Sequence, residues 1–519
     1  CEHPPKTASE VWEDDYAWKD KKWMKNRKKN NALDAPFSVY EVHLGSWKKQ
    51  IEENRFLSYT EFAEELVDYV KEMSFTHVEF MPIMEYPYDP SWGYQLTGYF
   101  APTSRFGYPD EFKFLVDKFH EKGIGVLLDW VPSHFPSDDH GLGFFDGSHL
   151  YEHPDRRKGY HQDWKSLIFN YGRNEIKAFL ISNAIFWLDQ YHADGLRVDA
   201  VASMLFLDYS REDGEWEPNK YGGNEYLEAI DFIKEMNAAV YESFPDVQTI
   251  AEESTSFPKV SRPIYDGGLG FGMKWMMGWM HDTLDYFAKE PVYRKHHQND
   301  LTFSLNYAFT ENFMLPLSHD EVVYGKKSIV DKMPGDEWQK FGNLRLLYSF
   351  MYTHPGTKLL FQGNEFGQTS EWNFNGSLDW HLLDHKVHKG AQTLVKDLNK
   401  LYKKEPALHK KQFSSEGFEW IDHGDHENSV MTYIRKGVNE KENLIIVLNL
   451  TPIPRENYKI GIPKAGKLEE IFNSDNPKYN GTGNFNNKKT TSNKEEWNGR
   501  KNSVELNLPP LAMLAFKYK

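Results

Sequence analysis

The sequence predicts an α/β protein in which a (β/α)8 barrel is followed by a C-terminal antiparallel β-sandwich domain. From about residue 38 to about residue 405, short apolar runs alternate with amphipathic helical runs in eight pairs, which is typical of a parallel sheet covered by helices. After that point the pattern changes to short alternating segments such as "VMTYIRK" and "NLIIVLNL". Eight consecutive pairs close most simply as a barrel, although an open doubly wound sheet would have the same alternation.

Each barrel strand is assigned to one apolar run. In chain order these runs are "SVYEVHLG", "HVEFMP", "GVLLDWV", "GLRVDA", "VQTIAEE", "GLGFGMKW", "NFMLPLSH" and "TKLLFQGNE". Ahead of them lies a charged, partly helical segment whose basic run is expected to be a solvated face. We therefore predict a lead-in segment at residues 1–36, the barrel at 37–405 and the all-β domain at 406–519.

The helices between the strands are predicted from apolar residues that recur on one side. In the first, Ser58 and Glu61 form an S-x-x-E capping box ahead of Phe62 and Leu66. The same period recurs at Phe112, Leu115, Val116 and Phe119, and again at Ile176, Phe179, Leu180, Ala184 and Trp187. Each such helix offers one apolar face that can cover a sheet.

Composition and charge exclude several classes of function. The formal net charge of −16 and the pI near 5.7 argue against a nucleic-acid partner, because an acidic surface repels phosphates. No apolar run reaches the roughly 18 residues of a membrane span, and no secretory leader is visible. The single cysteine, Cys1, cannot form an internal disulfide. We therefore expect a reducing, cytoplasmic location.

Chemically active side chains recur at the predicted carboxyl ends of the strands, where the active site of such a barrel lies. They are Asp129 and His134 after the third strand, Arg197 and Asp199 at the fourth, Glu252 and Glu253 at the fifth, and His319 and Asp320 at the seventh. A single aspartate in such a place usually caps the following helix. Carboxylates at four strand ends repel one another unless they are compensated, and this convergence favours a catalytic centre.

Arg197 and Asp199 lie two residues apart in the apolar run "DGLRVDAVASM", so their side chains point to the same side of the strand. We expect the guanidinium to hold the pKa of Asp199 low, which suits a nucleophile. A glutamate with less positive charge nearby would keep its proton longer and serve as the acid. Cleavage of a glycosidic bond requires two carboxyl groups with these opposed tasks.

Other chemistries lack their motifs. The sequence has no G-x-S-x-G, no P-loop, no H-E-x-x-H and no cysteine cluster, which are the usual signatures of serine nucleophiles, nucleotide binding and zinc. His319 and Asp320 could be two ligands of a metal, but no third ligand stands at a useful spacing. We therefore expect neither a catalytic metal nor a cofactor.

The motifs at the strand ends resemble those of the α-amylase superfamily of glycoside hydrolases. "DWVPSH", "GLRVDAV", "IAEEST" and "LSHDEV" occur in the superfamily's order. The surrounding runs, among them "PPKTASEVW", "YEVHLGSW", "SWGYQLTGYFAPTSRFG", "SHDEVVYGKKS" and "GNEFGQTSEWN", resemble those of the 1,4-α-glucan (glycogen) branching enzymes. The resemblance extends from residue 4 to the last strands near "LPPLAMLAFKY".

The resemblance implies a role for each site residue. Asp199 would be the nucleophile, Glu252 the general acid/base and Asp320 the stabiliser of the transition state. The residues that would line the subsite of the transferred sugar are Tyr94, Asp129, His134, Arg197 and His319. Glu253 follows Glu252 directly and points to the opposite side of the strand. The family pattern selects Glu252 of the two.

The resemblance also implies an activity in glycogen biosynthesis. A retaining transglycosylase would cleave an α-1,4 glucan such as amylose, amylopectin or glycogen and transfer the chain to a C6 hydroxyl, which forms an α-1,6 branch. A hydrolase of the same fold, with water as the acceptor, and a glycan-binding scaffold on an inactive barrel are the alternatives. We expect a monomer whose partner is the glucan polymer. A carbohydrate-binding β-sandwich normally precedes "PPKTASEVW" in the family and is absent here, so we expect a truncated form of a longer protein.

Overall fold

The computed structural model describes residues 1–50, 52–53, 55–487 and 490–519. Eight parallel strands close into a barrel in which each strand pairs with its neighbours in sequence and β8 pairs with β1. The barrel strands β1 to β8 are Ser38–Val42, His77–Phe80, Gly125–Trp130, Gly195–Val198, Gln248–Ala251, Met273–Trp275, Phe313–Leu317 and Thr357–Phe361. All eight apolar runs assigned from the sequence are barrel strands. The predicted (β/α)8 barrel is confirmed, and the open sheet is excluded.

Helices cover the outside of the barrel. Apart from shorter turns, the helices described are α1 to α10: Lys21–Asn30, Tyr59–Glu72, Pro109–Glu121, Asn174–Gln190, Val201–Leu205, Leu227–Ser243, Met277–Ala288, Gln298–Phe303, Glu337–Thr353 and Lys386–Lys404. The capping box predicted at the start of α2 is confirmed, because Ser58 Oγ accepts from the Glu61 N–H at 3.2 Å and Glu61 Oε2 accepts from the Ser58 N–H at 2.8 Å. Phe62 and Leu66 of α2 are buried, as their spacing predicts.

The interior of the barrel is filled by side chains. One layer of apolar residues contains Phe37, Val39, Leu127, Ile250, Met273, Trp275, Met314 and Leu359. Large side chains that point inward from several strands make a packed core of the barrel and not a pore. The cleft therefore forms only where the strands end.

The lead-in segment packs against the opposite end of the barrel from the carboxyl ends of the strands. Trp23 Nε1 donates to Asp194, which directly precedes β4, at 2.7 Å. Arg27 Nη2 lies 2.7 Å from Asp246, which precedes β5. All five lysines on α1, namely Lys21, Lys22, Lys25, Lys28 and Lys29, are exposed. The basic run is a solvated face, as predicted, except for the buried Arg27.

The C-terminal part is an antiparallel β-sandwich, as predicted. Its strands β9 to β16 are Phe418–Asp425, Val430–Arg435, Leu444–Asn449, Arg455–Ile462, Lys467–Asn473, Thr490–Thr491, Asn502–Leu508 and Ala512–Tyr518. They form a sheet in the order β9-β10-β11-β16-β13-β14 and a separate pair, β12-β15. Val447 and Phe516 from the sheet pack with Ile460 and Val504 from the pair. The predicted domain boundaries at residues 36/37 and 405/406 stay predictions.

Buried arginines fix the sandwich to the barrel. Arg435 on β10 donates to the carbonyl of Thr353, at the end of α9, at 2.7 Å. Arg294 donates to the carbonyl of Leu450 at 2.9 Å. Within the described residues, no helix combines the length and the apolarity that crossing a bilayer requires.

Candidate active site

A cleft of about 380 Å³ opens at the carboxyl ends of the barrel strands, within the size range of ligand-binding sites. The predicted site residues on its wall are Tyr94, His134, Asp199, Glu252, His319 and Asp320. Asp129 and Arg197 lie beneath them and are buried. All eight are thus brought together from five strands and their loops. A larger depression of about 800 Å³ beside Lys49 and Phe56 contains none of them.

The register of the barrel sets the floor of the cleft. Arg197 on β4 is directly opposite Asp129 on β3, so their side chains enter the barrel side by side. After β4 the chain turns through Ala200, whose φ of 51° is unusual for a residue other than glycine. This turn lets the Ala200 N–H donate to Glu252 Oε2 at 2.7 Å. The end of β4 is therefore tied to the end of β5.

The Arg197 guanidinium connects three carboxyl groups. Its Nη1 lies 2.6 Å from Asp129 Oδ1 and 2.8 Å from Asp199 Oδ1, and its Nη2 lies 3.0 Å from Glu252 Oε2. The guanidinium also lies over the Trp275 ring, with 4.5 Å between Cζ and the ring centroid. A planar fork with an acid in contact with each terminal nitrogen and an aromatic face beneath it has little freedom to move.

The pKa values of Asp199 and Glu252 correct two expectations drawn from the sequence. Burial raises the pKa of Asp199 well above its usual value, and the opposing effect of Arg197 does not cancel this. The expected low pKa of Asp199 is therefore wrong, because the sequence did not reveal how deeply the group is buried. Burial also raises the pKa of Glu252, again against Arg197. Glu252 does not have less positive charge nearby, since the same guanidinium contacts both acids.

His319 is held as a cation between two acids. Its Nδ1 donates to Glu41 Oε1 at 2.6 Å, and its Nε2 lies 3.5 Å from Asp320. Burial alone would lower the pKa of His319, but the charges of Asp320 and Glu41 raise it to about 9. Among the described residues, no three His, Cys, Asp or Glu side chains are grouped as a metal site requires.

Two further residues, Tyr94 and His134, complete the wall of the cleft. Tyr94 donates its hydroxyl to Asp129 Oδ2 at 2.6 Å and stacks on the His319 ring at 5.6 Å between centroids. Burial lowers the pKa of His134 to about 3, so this ring is neutral at physiological pH. Its Nε2 lies 3.8 Å from Asp199 Oδ2. A neutral imidazole there has an N–H to offer to a sugar hydroxyl.

Glu253 lies outside the cleft. Its side chain is completely buried and lies 2.5 Å from Lys274 Nζ. It also accepts from the Thr255 N–H at 2.7 Å. With its charge already paired in the layer behind β5, Glu253 is not available to a substrate.

Sequence reasoning missed several residues of the site. Trp92 and Tyr324 form one part of the cleft wall, and Trp164 and Tyr209 form another. All are aromatic, and nothing in their spacing separates them from core residues. Glu41, the partner of His319, could have been recognised from the sequence, because it is a charged residue inside the apolar run "SVYEV".

Comparisons with known proteins place the chain in a family. A family model described as the alpha amylase catalytic domain matches residues 63–166 and 145–429, and one described as the alpha amylase C-terminal all-beta domain matches residues 420–519. The "1,4-alpha-glucan branching enzyme GlgB" of Aquifex aeolicus is 60% identical over 100% of this chain and 82% of its own length. The chain belongs to the GlgB branching-enzyme family.

Other members of that family are similar to this chain over its whole length. The GlgB proteins of Nitrosococcus oceani and Albidiferax ferrireducens are 58% and 56% identical over 100% of this chain, which covers 69% and 83% of their lengths. They support the branching-enzyme interpretation over the hydrolase alternative. The crystal structure of an alpha-amylase from Geobacillus thermoleovorans, complexed with acarbose, superposes with a TM-score of 0.70 over 94% of this chain and 98% of its own. At 16% identity it supports the fold alone.

Proposed function

We propose that this cleft carries out the branching reaction on α-1,4 glucans, with Asp199 as nucleophile, Glu252 as general acid/base and Asp320 as stabiliser of the transition state. The observation that carries the proposal is the contact of one guanidinium with both Asp199, at 2.8 Å, and Glu252, at 3.0 Å. Two carboxyl groups held by one rigid fork act on one bond, as a retaining mechanism requires.

The first half-reaction breaks the α-1,4 bond. Ionised Asp199 attacks the anomeric carbon, the bond from that carbon to the leaving oxygen breaks, and Glu252 gives its proton to that oxygen. Asp320, with 40% of its side chain exposed, offers a negative charge to the positive charge that develops on the sugar ring. The product is a glucosyl ester of Asp199.

The second half-reaction makes the branch. Glu252, now ionised, takes the proton from a C6 hydroxyl of another glucan chain. That oxygen forms a bond to the anomeric carbon and displaces the Asp199 carboxylate, which completes the α-1,6 linkage. Two displacements at one carbon retain the α configuration, and Glu252 ends with the proton it had at the start.

The remaining site residues hold the sugar that is transferred. Tyr94 and His319 offer stacked rings, while His134 offers a neutral N–H beside Asp199. Asp129 and Arg197 form the floor of the cleft, and Asp129 accepts a hydrogen bond from the Tyr94 hydroxyl. A rigid pocket of this kind reduces the entropy lost when the chain binds.

We also propose a biological setting for the chain. We place the chain in glycogen biosynthesis, as a cytoplasmic monomer acting on glycogen, amylose or amylopectin. The single cysteine, Cys1, fits a reducing compartment. The net charge of −16 favours a neutral polymer over nucleic acid as the partner.

The test is the product formed from amylose. We expect iodine staining to fall without a matching rise in reducing ends, and debranching to release newly transferred chains. Asp199→Asn should abolish the reaction, whereas Asp189→Asn, at an exposed position on α4, should not. Reducing ends that rise in step with the loss of staining would make the chain a hydrolase and overturn the proposal.

A further inference from the structure

A completely buried tryptophan lies beneath the guanidinium that connects the acids of the cleft. Trp275 is the last residue of β6, and its side chain belongs to the apolar layer that fills the barrel. The centroid of its ring lies 4.5 Å from Cζ of Arg197. Ala251 on β5 pairs with Lys274 on β6, so Glu252 and Trp275 are the next residues along these two neighbouring strands. Trp275 therefore reaches the guanidinium from the strand beside the one that presents Glu252.

The indole of Trp275 is an energetically unfavourable choice for this position. Its N–H is buried, and the described residues offer it no hydrogen-bond partner. A buried polar group without a partner lowers stability, and a buried tryptophan usually has one. A phenylalanine or a leucine would fill the barrel without this cost. Among aromatic side chains the indole attracts a cation most strongly, and this property points to its contact with Arg197.

The hydrogen bonds of Arg197 by themselves leave its guanidinium free to turn about one axis. Nη1 donates to both oxygens of Asp129 and to Asp199 Oδ1, at 2.6 to 2.8 Å. Nε has no hydrogen-bond partner among the described residues, and Nη2 lies 3.0 Å from Glu252 Oε2. A turn about Nη1 would keep the bonds to the two aspartates and carry Nη2 away from Glu252.

The Trp275 ring opposes this turn. Cζ of Arg197 lies over the face of the ring, so the guanidinium cannot turn far without pushing an edge into it. The ring cannot give way, because Trp275 pairs with Met314 on β7 and both side chains belong to the packed apolar layer. The attraction between a cation and a ring is strongest when both are out of water, and both are buried here. The ring therefore supplies the restraint that the hydrogen bonds lack.

We propose that Trp275 is a positioning residue for the branching reaction, which acts through Arg197 and keeps Nη2 of the guanidinium on Glu252. The proposal rests on the proposed function, because it takes Glu252 as the general acid/base. Trp275 itself does not reach the glucan, since its side chain is completely buried. Its loss should therefore change kcat and the pH dependence of the reaction and leave the binding of glucan intact.

The test replaces the indole in two steps. Trp275→Leu removes the aromatic face, whereas Trp275→Phe keeps a weaker one. With Trp275→Leu we expect kcat on amylose to fall roughly 30-fold, which is about 2 kcal/mol, and KM to stay within about twofold of the parent. Trp275→Phe should keep roughly a third of the parental kcat.

The pH profile of kcat/KM separates positioning from packing. Arg197 opposes the effect of burial on the pKa values of Asp199 and Glu252. A guanidinium that turns away opposes it less, so the pKa values rise and the profile of Trp275→Leu should shift to higher pH. A residue that only fills space would lower stability without this shift.

Trp279 on α7 provides the matched control. It is also completely buried, and its indole N–H also lacks a partner among the described residues. Its ring stacks on Phe350 of α9, with 6.5 Å between centroids. Trp279→Leu should lower the urea midpoint as Trp275→Leu does, and it should keep the kcat and the pH profile of the parent.

Other outcomes overturn the proposal in distinguishable ways. Equal losses of kcat in folded Trp275→Leu and Trp279→Leu, with unshifted pH profiles, would make Trp275 a packing residue. A rise in KM with kcat unchanged would assign it to glucan binding. Should Trp275→Leu not fold, a folded Trp275→Phe with parental kcat and pH profile would also overturn the proposal. If the parent made no α-1,6 branches, the proposed function would fail, whereas the rate of amylose cleavage by the same variants would still test the positioning.

Discussion

Nη1 of Arg197 lies 2.8 Å from Oδ1 of Asp199, a residue only two positions further along the chain. The same guanidinium reaches Glu252 on β5 at 3.0 Å. A pairing between close neighbours in sequence thus connects two strands and the two carboxyl groups that we propose to be catalytic.

Arg197→Lys should be severely impaired although it keeps the charge. A lysine ammonium is one point charge on a flexible stem and cannot contact Asp129, Asp199 and Glu252 together. We expect kcat on amylose to fall roughly a hundredfold or more, as for other small misplacements in active sites. Arg27→Lys is the matched control, since Arg27 is also buried and paired with an acid but lies at the other end of the barrel. A folded Arg197→Lys variant with near-parental turnover would make Arg197 a simple counter-charge.

The acid limb in the pH profile of kcat/KM should lie at higher pH than the pKa of an exposed aspartate. Burial raises the pKa of Asp199, and in the proposed mechanism only the ionised carboxylate attacks. As pH falls through that raised pKa, kcat/KM should fall with the ionised fraction in the free enzyme. The measurement is the initial rate at low amylose concentration across a pH series. A limb that appeared only near pH 4, the usual value for aspartate, would contradict the assigned burial effect.

Glu41→Gln should move the alkaline limb of activity to lower pH. Glu41 and Asp320 raise the pKa of His319 to about 9 against the effect of burial. Removing the Glu41 charge lets that pKa fall toward the ordinary value of about 6.5. The stabilisation from the imidazolium is complete below the ordinary value and is lost as pH rises through about 9. The unfolding free energy of the variant should therefore decline at lower pH than that of the parent.

The alkaline limb of kcat/KM and the chemical shifts of His319 report the effect of Glu41→Gln directly. Glu64→Gln, at an exposed position on α2, is a control that should change neither quantity. Identical alkaline limbs for parent and Glu41→Gln would show that activity does not depend on the protonation of His319.

Glu79→Gln should stabilise the protein increasingly as pH rises. Glu79 on β2 is completely buried, and neither of its carboxyl oxygens has a hydrogen-bond partner among the described residues. Burial, followed by the charges of Glu41 and Asp129, raises its pKa well above the usual value. The folded protein then keeps a proton that the unfolded chain has lost, so its stability falls as pH rises above about 4.3. Glutamine has no such proton to lose.

The difference in unfolding free energy between Glu79→Gln and the parent should therefore widen by at most about 1.4 kcal/mol per pH unit. Urea denaturation at a series of pH values measures it. A constant difference across the series would show that Glu79 is ionised in the folded state.

The sequence predicts some strands and site residues and misses others, and individual residues show why. The pattern of apolar runs placed all eight barrel strands, because alternation and helical spacing are local properties that the chain repeats. Glu41 and Glu79 could have been noticed in the same way as Arg197, since each is a charge within an apolar strand. Trp92 and Tyr324 could not, because an aromatic residue in a loop has the same local pattern whether it fills a core or lines a cleft.

The sequence by itself determined the eight βα pairs, the C-terminal all-β domain and the set of acids and histidines at the strand ends. These follow from periodicity and from the rule that parallel strands present their carboxyl ends together. Only the tertiary structure decided the pKa values of those groups and which of them form ion pairs. Burial depends on every element packed around a residue, so it raised the pKa of Asp199 where its neighbour in sequence suggested the opposite. The register between strands likewise decided that Arg197 would face Asp129 and reach Glu252 as well as Asp199.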